Sequence, residues 1–171
     1  MAGTAPSKHS VRQVPGRRGV TFIELITLTI ALLILLAIGV PRMSPVVQQF
    51  RLKGAAWQLG GDLRLARQRA VTTQRRFRVC VNSCKITVPV GAYSVEVEDL
   101  PLGSLKWRSE TGAAVRLPPD VTLTATATAT FAASGMASGG TFTLTNLMGS
   151  YQVTVTSTGQ VTVAVCTGTC P

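Results

Sequence analysis

Histidine is nearly missing from this chain. The only one in 171 residues is His9, close to the N-terminus. Everything after it lacks the commonest general base at neutral pH. Carboxylates are scarce too, with seven Asp+Glu against 17 Lys+Arg. Beyond Glu24 they are Asp62, Glu96, Glu98, Asp99, Glu110 and Asp120. No two of them form a recognisable pair for acid–base work, and Glu96, Glu98 and Asp99 read as decoration of a strand end. There is no phosphate-binding glycine loop, and no metal-ligand motif apart from the cysteines. Domain-scale repeats and long linkers are absent as well. These absences argue against an enzyme, and no catalytic residue, cofactor or metal is expected.

What is present begins with an apolar run, Val20 to Val40, that contains a single charge, Glu24. As a helix its 21 residues extend about 31 Å, enough to cross a bilayer. A carboxylate costs about 2.5–3.5 kcal/mol at the bilayer centre on insertion scales, and less near the interface. A plain anchor has no reason to carry one, so Glu24 is expected to have a partner. A secretory signal, with Ala37-Ile38-Gly39 as its cleavage site, is the other simple reading. The run is long for a signal, and Glu24 would sit badly in it.

Arg17 and Arg18 lie just before Gly19, and residues 1–19 are polar and basic, with Pro6 and Pro15. This stretch reads as a leader without a fold of its own. Its positive charge favours a cytoplasmic N-terminus and translocation of the C-terminal part of the chain. Four of the 17 basic residues, Lys8, Arg12, Arg17 and Arg18, belong to it, which leaves 13 against seven acids from Val20 onward.

Pro41 and Pro45 end the apolar run, kinking the helix or marking its exit from the bilayer. Leu52, Ala56, Leu59, Leu63, Ala66 and Ala70 then recur at steps of four and three, which predicts an amphipathic helix from 44 to about 74. Gly54, Gly60 and Gly61 mark places where it is weakened or closely packed. After Thr73 the period becomes two. Residues 77–81 and 85–88 read as a hairpin, and 93–97 as a strand. Residues 121–131 read as one half-buried strand with threonine on its outer side, and 141–145 as another. Residues 151–155 and 160–165 read as a hairpin about Ser157-Thr158-Gly159. Pro101, Gly103 and Pro118-Pro119 mark turns, and residues 133–140 a loop of small residues. The expected fold is α+β, with helix packed on an antiparallel sheet.

The cysteines form two pairs of equal spacing, Cys80 with Cys84 and Cys166 with Cys170. Four cysteines allow three pairings, and a zinc site is a further reading. An oxidising compartment favours disulfides. Local pairing is the expectation: Val81-Asn82-Ser83 reads as a turn that brings Cys80 to Cys84, and a Cys166–Cys170 bridge would pin the tail.

Gly19-Val20-Thr21-Phe22-Ile23-Glu24, with two arginines before it and an apolar run after it, resembles the prepilin signature of type IV pilins and type II secretion pseudopilins. The resemblance implies cleavage by a prepilin peptidase between Gly19 and Val20 and N-methylation of Val20. The family usually starts its mature chain with Phe or Met, where this chain has Val. Glu24 would meet the N-terminal amine of a neighbouring subunit, a pairing that lowers the cost of burying either charge. Further along, Leu63-Arg64-x-Ala66-Arg67, Phe131-x-x-x-Gly135 and Ser157-Thr158-Gly159-Gln160-Val161 resemble, in that order, the GspH/FimT family. That implies a leader (1–19), a transmembrane helix (20–41) and a periplasmic pilin-like domain (42–171) in the bacterial inner membrane. It implies a minor pseudopilin of type II secretion, or alternatively a FimT-type minor type IV pilin. The implied partners are other pilins through the N-terminal helix, and secreted protein substrates.

Arg64, Arg67, Arg69, Arg75, Arg76 and Arg78 fall within fifteen residues. Such a patch suits phosphate, and Arg64, Arg67, Arg75, Arg76 and Arg78 are candidate contacts to DNA or another anion. The plainer reading is that they solvate the outer helix face or meet acidic neighbours. Residues 151–171 contain no Lys or Arg, whereas relatives that bind DNA tend to carry arginines there.

Overall fold

The structure, a computed structural model, describes residues 19–81, 84–101 and 103–166, the side chains of 38–42 excepted. The chain divides into two compact units, one ending at Pro41 and the other starting at Arg42.

The first unit holds all of α1, Phe22–Arg42, but its last residue. Thr21 caps it, its hydroxyl accepting the Glu24 N–H at 3.3 Å. Thr21-x-x-Glu24 is thus a Thr at the cap and a Glu three residues on, the spacing of a capping box. Among the described residues no helix is long and apolar enough to cross a membrane; the side chains described for α1 stop at Ala37.

The second unit opens with α2, Ser44–Thr73. Pro45 lies in its first turn, where a missing N–H costs little. Its C-terminal cap is Gln74, in the left-handed conformation with φ 53°, and the Gln74 N–H reaches back to the Ala70 carbonyl. All six residues of the Leu/Ala stripe are buried, together with Ala55 and Gly60.

Two antiparallel sheets form the rest, where the sequence suggested one. In the first, β1 (Phe77–Cys80) lies between β2 (Ala92–Glu98) and β6 (Ala129–Phe131), and β2 also pairs with β3 (Trp107–Ser109) and β4 (Val115–Arg116). The second runs β5 (Thr122–Ala125), β7 (Gly140–Asn146), β8 (Gly149–Val155), β9 (Val161–Val165). The buried face of α2 meets β1 and β6 of one sheet and β7, β8 and β9 of the other. The core is that stripe with Phe77, Val79, Tyr93, Phe131, Phe142, Leu144 and Val153.

Three strand expectations need correction. Residues 85–88 form no strand. Both edges of β1 are already taken by β2 and β6, and the Lys85 N–H goes to the Glu96 carboxylate at 2.6 Å. Residues 121–131 are two strands in different sheets. The alternation holds at Val121, Leu123, Ala129 and Phe131, which are buried, but Ala127 is exposed. Side chains satisfy the backbone at this crossing. Ser138 Oγ accepts the Thr130 N–H and donates to the Thr128 carbonyl, and Thr126 Oγ1 accepts the Thr141 N–H. The segment between Pro101 and Pro118 contains β3 and β4, two short strands on the outer side of β2 whose residues are exposed or half-buried.

The adjacent glycines of α2 differ in what surrounds them. A Cβ on Gly60 would lie 2.7 Å from Val163 Cγ2, whereas one on Gly61 meets nothing within 4 Å. Valine is stiff at χ1 and cannot swing aside. Gly61→Ala should therefore gain about 1 kcal/mol from helix propensity. Gly60→Ala should be less stable than Gly61→Ala by about 1–3 kcal/mol through overpacking. Chemical denaturation of the two variants checks this, and equal stability would contradict the packing described.

Candidate functional site

Three sets of residues carry charge or a motif. The first is the start of α1. Gly19 and Val20 precede the first helical turn and are exposed. Val20, Phe22, Ile23, Leu25, Leu28, Ile30 and the residues of Leu32–Leu36 all have more than half of their surface exposed. Glu24 is exposed as well, and among the described residues its carboxylate has no ion-pair partner. Glu24 stands three residues after the cap Thr21, and the capping-box meaning of that Thr-x-x-Glu spacing was passed over in the sequence in favour of the prepilin motif.

The second set joins α2 to two loops. Arg67 Nε donates to the Gly135 carbonyl at 3.0 Å and its Nη2 to the Thr158 carbonyl at 3.2 Å. Arg64 Nη2 donates to the Val161 carbonyl at 3.2 Å. One exposed row of α2 thus holds both the β6–β7 loop and the β8–β9 turn. Gly135 and Gly159 have positive φ, 82° and 78°. A Cβ on Gly159 would stand 2.1 Å from the Gly135 carbonyl oxygen and 2.7 Å from Arg67 Nε. The Ser-Thr-Gly turn therefore needs glycine for its conformation and for the close approach of three elements. A groove of about 540 Å³ opens beside these residues, lined also by Gln68, Val71, Thr72 and Ser134.

The third set lies on β2, where the expectation of a decorated strand end is corrected. Glu96 and Glu98 are fully buried. Glu96 Oε2 accepts from Arg78 Nε at 2.8 Å, and Glu96 Oε1 from the Lys85 N–H. Glu98 Oε1 accepts the N–H groups of Gly103 and Leu105, and Arg76 lies 3.8 Å from Oε2. Each carboxylate gathers donors from a neighbouring loop, which offsets the cost of burying its charge. Arg75 donates to the Glu98 carbonyl and pairs with Asp99. Arg78 also stacks on Trp107, 4.3 Å from the ring centroid. Arg69 pairs with Glu110.

The arginines therefore separate into two groups. Arg64 and Arg67 grip loops of the second sheet, and Arg75, Arg76 and Arg78 meet acids and carbonyls of β2. Each of these five has an acceptor or acidic partner within the chain.

Cys80 and Cys84 are bonded to each other. Their sulfurs and the Glu96 carboxylate lie within 4.8 Å of one another, but a disulfide offers no thiolate to a metal, so the zinc reading does not fit this pair. Cys170, and with it the expected Cys166–Cys170 bridge, lies outside the described residues. Sequence reasoning also missed Tyr93, whose fully buried hydroxyl donates to Asp62 on α2. Burial first, and then the bond to Asp62, push this phenol far above its ordinary pKa.

An apolar N-terminal helix and a second helix laid on antiparallel strands define a pilin-like subunit. The family described as "Type II transport protein GspH" matches residues 55–159, and the chain belongs to that family. The minor pseudopilin EpsH from the type 2 secretion system of Vibrio cholerae has a similar structure. Its TM-score is 0.54 at 14% identity, covering 67% of this chain and 97% of EpsH. Escherichia coli GspH in solution gives 0.56 at 11%, covering 71% and 93%. The Pseudomonas aeruginosa type IV minor pilin FimU gives 0.48 at 18%, covering 70% and 92%. At these identities the likeness to EpsH and to GspH is one of fold. No curated protein sequence matches the chain.

The geometry makes two outcomes measurable. Gly159→Ala forces both a clash and a strained backbone, and should cost at least about 2 kcal/mol, measured by thermal or chemical unfolding. The second concerns Tyr93. Its raised pKa means the neutral phenol is the form that fits the fold. Its contribution is fully present below the unfolded value of about 10 and is lost as pH rises above it. Tyr93→Phe should weaken the fold near neutrality, by about 1–3 kcal/mol for the stranded Asp62 acceptor. It should also lose less stability than the parent between neutral and strongly alkaline pH. Parallel alkaline curves would contradict the assignment.

Proposed function

We propose that this chain is a minor pseudopilin of a type II secretion system, a structural subunit of a periplasmic pseudopilus needed for protein secretion. Membership of the GspH family supports this reading. The observation that carries it is α1, an apolar helix with one carboxylate in its first turn, whose described apolar side chains are exposed but for the half-buried Ile26. A helix apolar all round needs lipid or protein to cover it. In this reading α1 anchors the precursor in the inner membrane, with the second unit periplasmic, and later packs among the N-terminal helices of other pilins.

Prepilin peptidase cuts between Gly19 and Val20 and methylates the Val20 amine. Those two residues lie exposed ahead of the helix, which suits access by a protease. Glu24 then pairs with the new amine of a neighbouring subunit. The second unit faces secreted substrates or other minor subunits and performs no catalysis. Assembly into a type IV pilus would use the same N-terminal chemistry, with a different machine around it. DNA binding gains no support from the arginines, which are engaged within the chain.

Glu24 has two separable duties, helix capping and charge pairing. Glutamine serves a capping box as well as glutamate does, but it has no charge. Glu24→Gln should thus leave cleavage intact and abolish co-purification with partner pilins, and Glu24→Val should do the same. Normal incorporation of Glu24→Gln would remove the charge-pairing role and leave only the cap.

A further inference from the structure

Six large apolar side chains are exposed at one end of the second unit. Met43, Val46, Val47 and Phe50 come from the start of α2 and its first turns, 59%, 44%, 42% and 68% exposed. Leu147 and Met148, at the tip of the β7–β8 turn, are 88% and 45% exposed. A single side chain ties the two segments together. Asn146 Nδ2 donates to the Gln48 carbonyl at 3.0 Å, and its Oδ1 accepts the Met148 N–H at 2.8 Å. The turn is thus fixed beside the helix start, with its apolar residues held outward.

In sequence this end follows directly on the apolar run. Met43 follows Val40 by three residues and so lies within about 11 Å of it, whatever angle the chain takes. Gln48 is about 7 Å further along the helix axis. What side-chain charge the start of α2 brings to this end is basic, which suits an anionic surface. Residues 42–61 contain Arg42, Arg51 and Lys53 and no acid. Residues 121–171, which include the whole second sheet and the Leu147–Met148 tip, contain no Asp, Glu, Lys or Arg and so set no charge against a lipid surface. Asp120, the nearest acid before it, pairs with Arg51 at 3.6 Å.

We propose that this end is a membrane-surface contact. The Leu147–Met148 tip and the first turns of α2 insert together into the headgroup layer and seat the periplasmic unit on the bilayer before the subunit joins a filament. Apolar side chains beside cations bind at that depth, about 5–10 Å into the interface. An exposed apolar patch of this kind marks an interaction surface, and lipid is the occupant that the position along the chain and the charge select. The inference rests on the membrane-anchored reading above.

The test uses the full chain in vesicles of phosphatidylethanolamine and phosphatidylglycerol, with lipids brominated near the headgroup as quenchers. Leu147→Trp and Met148→Trp are compared with Met136→Trp, an exposed residue in the β6–β7 loop beside Gly135. Subtracting the parent removes the signal of Trp57 and Trp107. The tip tryptophans should shift to shorter wavelength and lose intensity with brominated lipid, while Trp at 136 should do neither. If the chain floats with the vesicles yet the tip tryptophans emit as in water without quenching, the contact is overturned and the face belongs to a protein neighbour. If the chain does not float at all, the anchored reading itself falls, and this inference with it.

Discussion

Burial of one face of α2 is the constraint on which the globular unit depends. The two sheets are separate ladders, and the chain crosses between them three times, from β4 to β5, β5 to β6 and β6 to β7. What they share is the Leu/Ala stripe from Leu52 to Ala70, which supplies core to both. Four fully buried residues of that stripe, Leu59, Leu63, Ala56 and Ala70, remove apolar surface from water at roughly 25 cal/mol per Å². Alanine makes up half of the stripe, so strands approach closely, and at Gly60 the fit leaves no room for a methyl group.

Polar pins fix the register of the helix on this core. Asn146 holds the Gln48 turn, Tyr93 meets Asp62, and Arg67 bridges the loops that contain Gly135 and Thr158. They lie along most of α2 and engage both sheets. Apolar burial sets the strength of the packing, and these directional bonds choose one arrangement. The buried carboxylates do similar work on β2, where Glu96 and Glu98 organise the loops after β1 and β2.

Much of this was legible in the sequence, and the rest was hidden for physical reasons. The helical stripe was readable because steps of three and four are hard to produce otherwise, and every position in it is buried. The last three strands were readable from strict alternation. The break at 126–128 was hidden because Thr-Ala alternation runs straight through it, and the hydroxyls of Thr126 and Ser138 that end the strand look like any strand threonine or serine. Glu96 and Glu98 were misread because isolated acids are usually exposed. Their donors, Arg78, Lys85, Gly103 and Leu105, come from loops and strands whose meeting only the fold reveals. The Ser-Thr-Gly turn was visible as a motif, but its cause, contact with Gly135 and Arg67, was not.

The functional account joins this block to an N-terminal segment whose chemistry is read from Gly19, Val20 and Glu24. On the proposed function, the chain is a processed pilin-class subunit. The most direct measurement is the N-terminal mass of the membrane-extracted protein, from cells with and without their prepilin peptidase. The account predicts a chain starting at Val20 and carrying an added methyl group, with an uncut precursor when the peptidase is absent. A chain starting at Val40, or one that keeps Met1 in the presence of the peptidase, would contradict it.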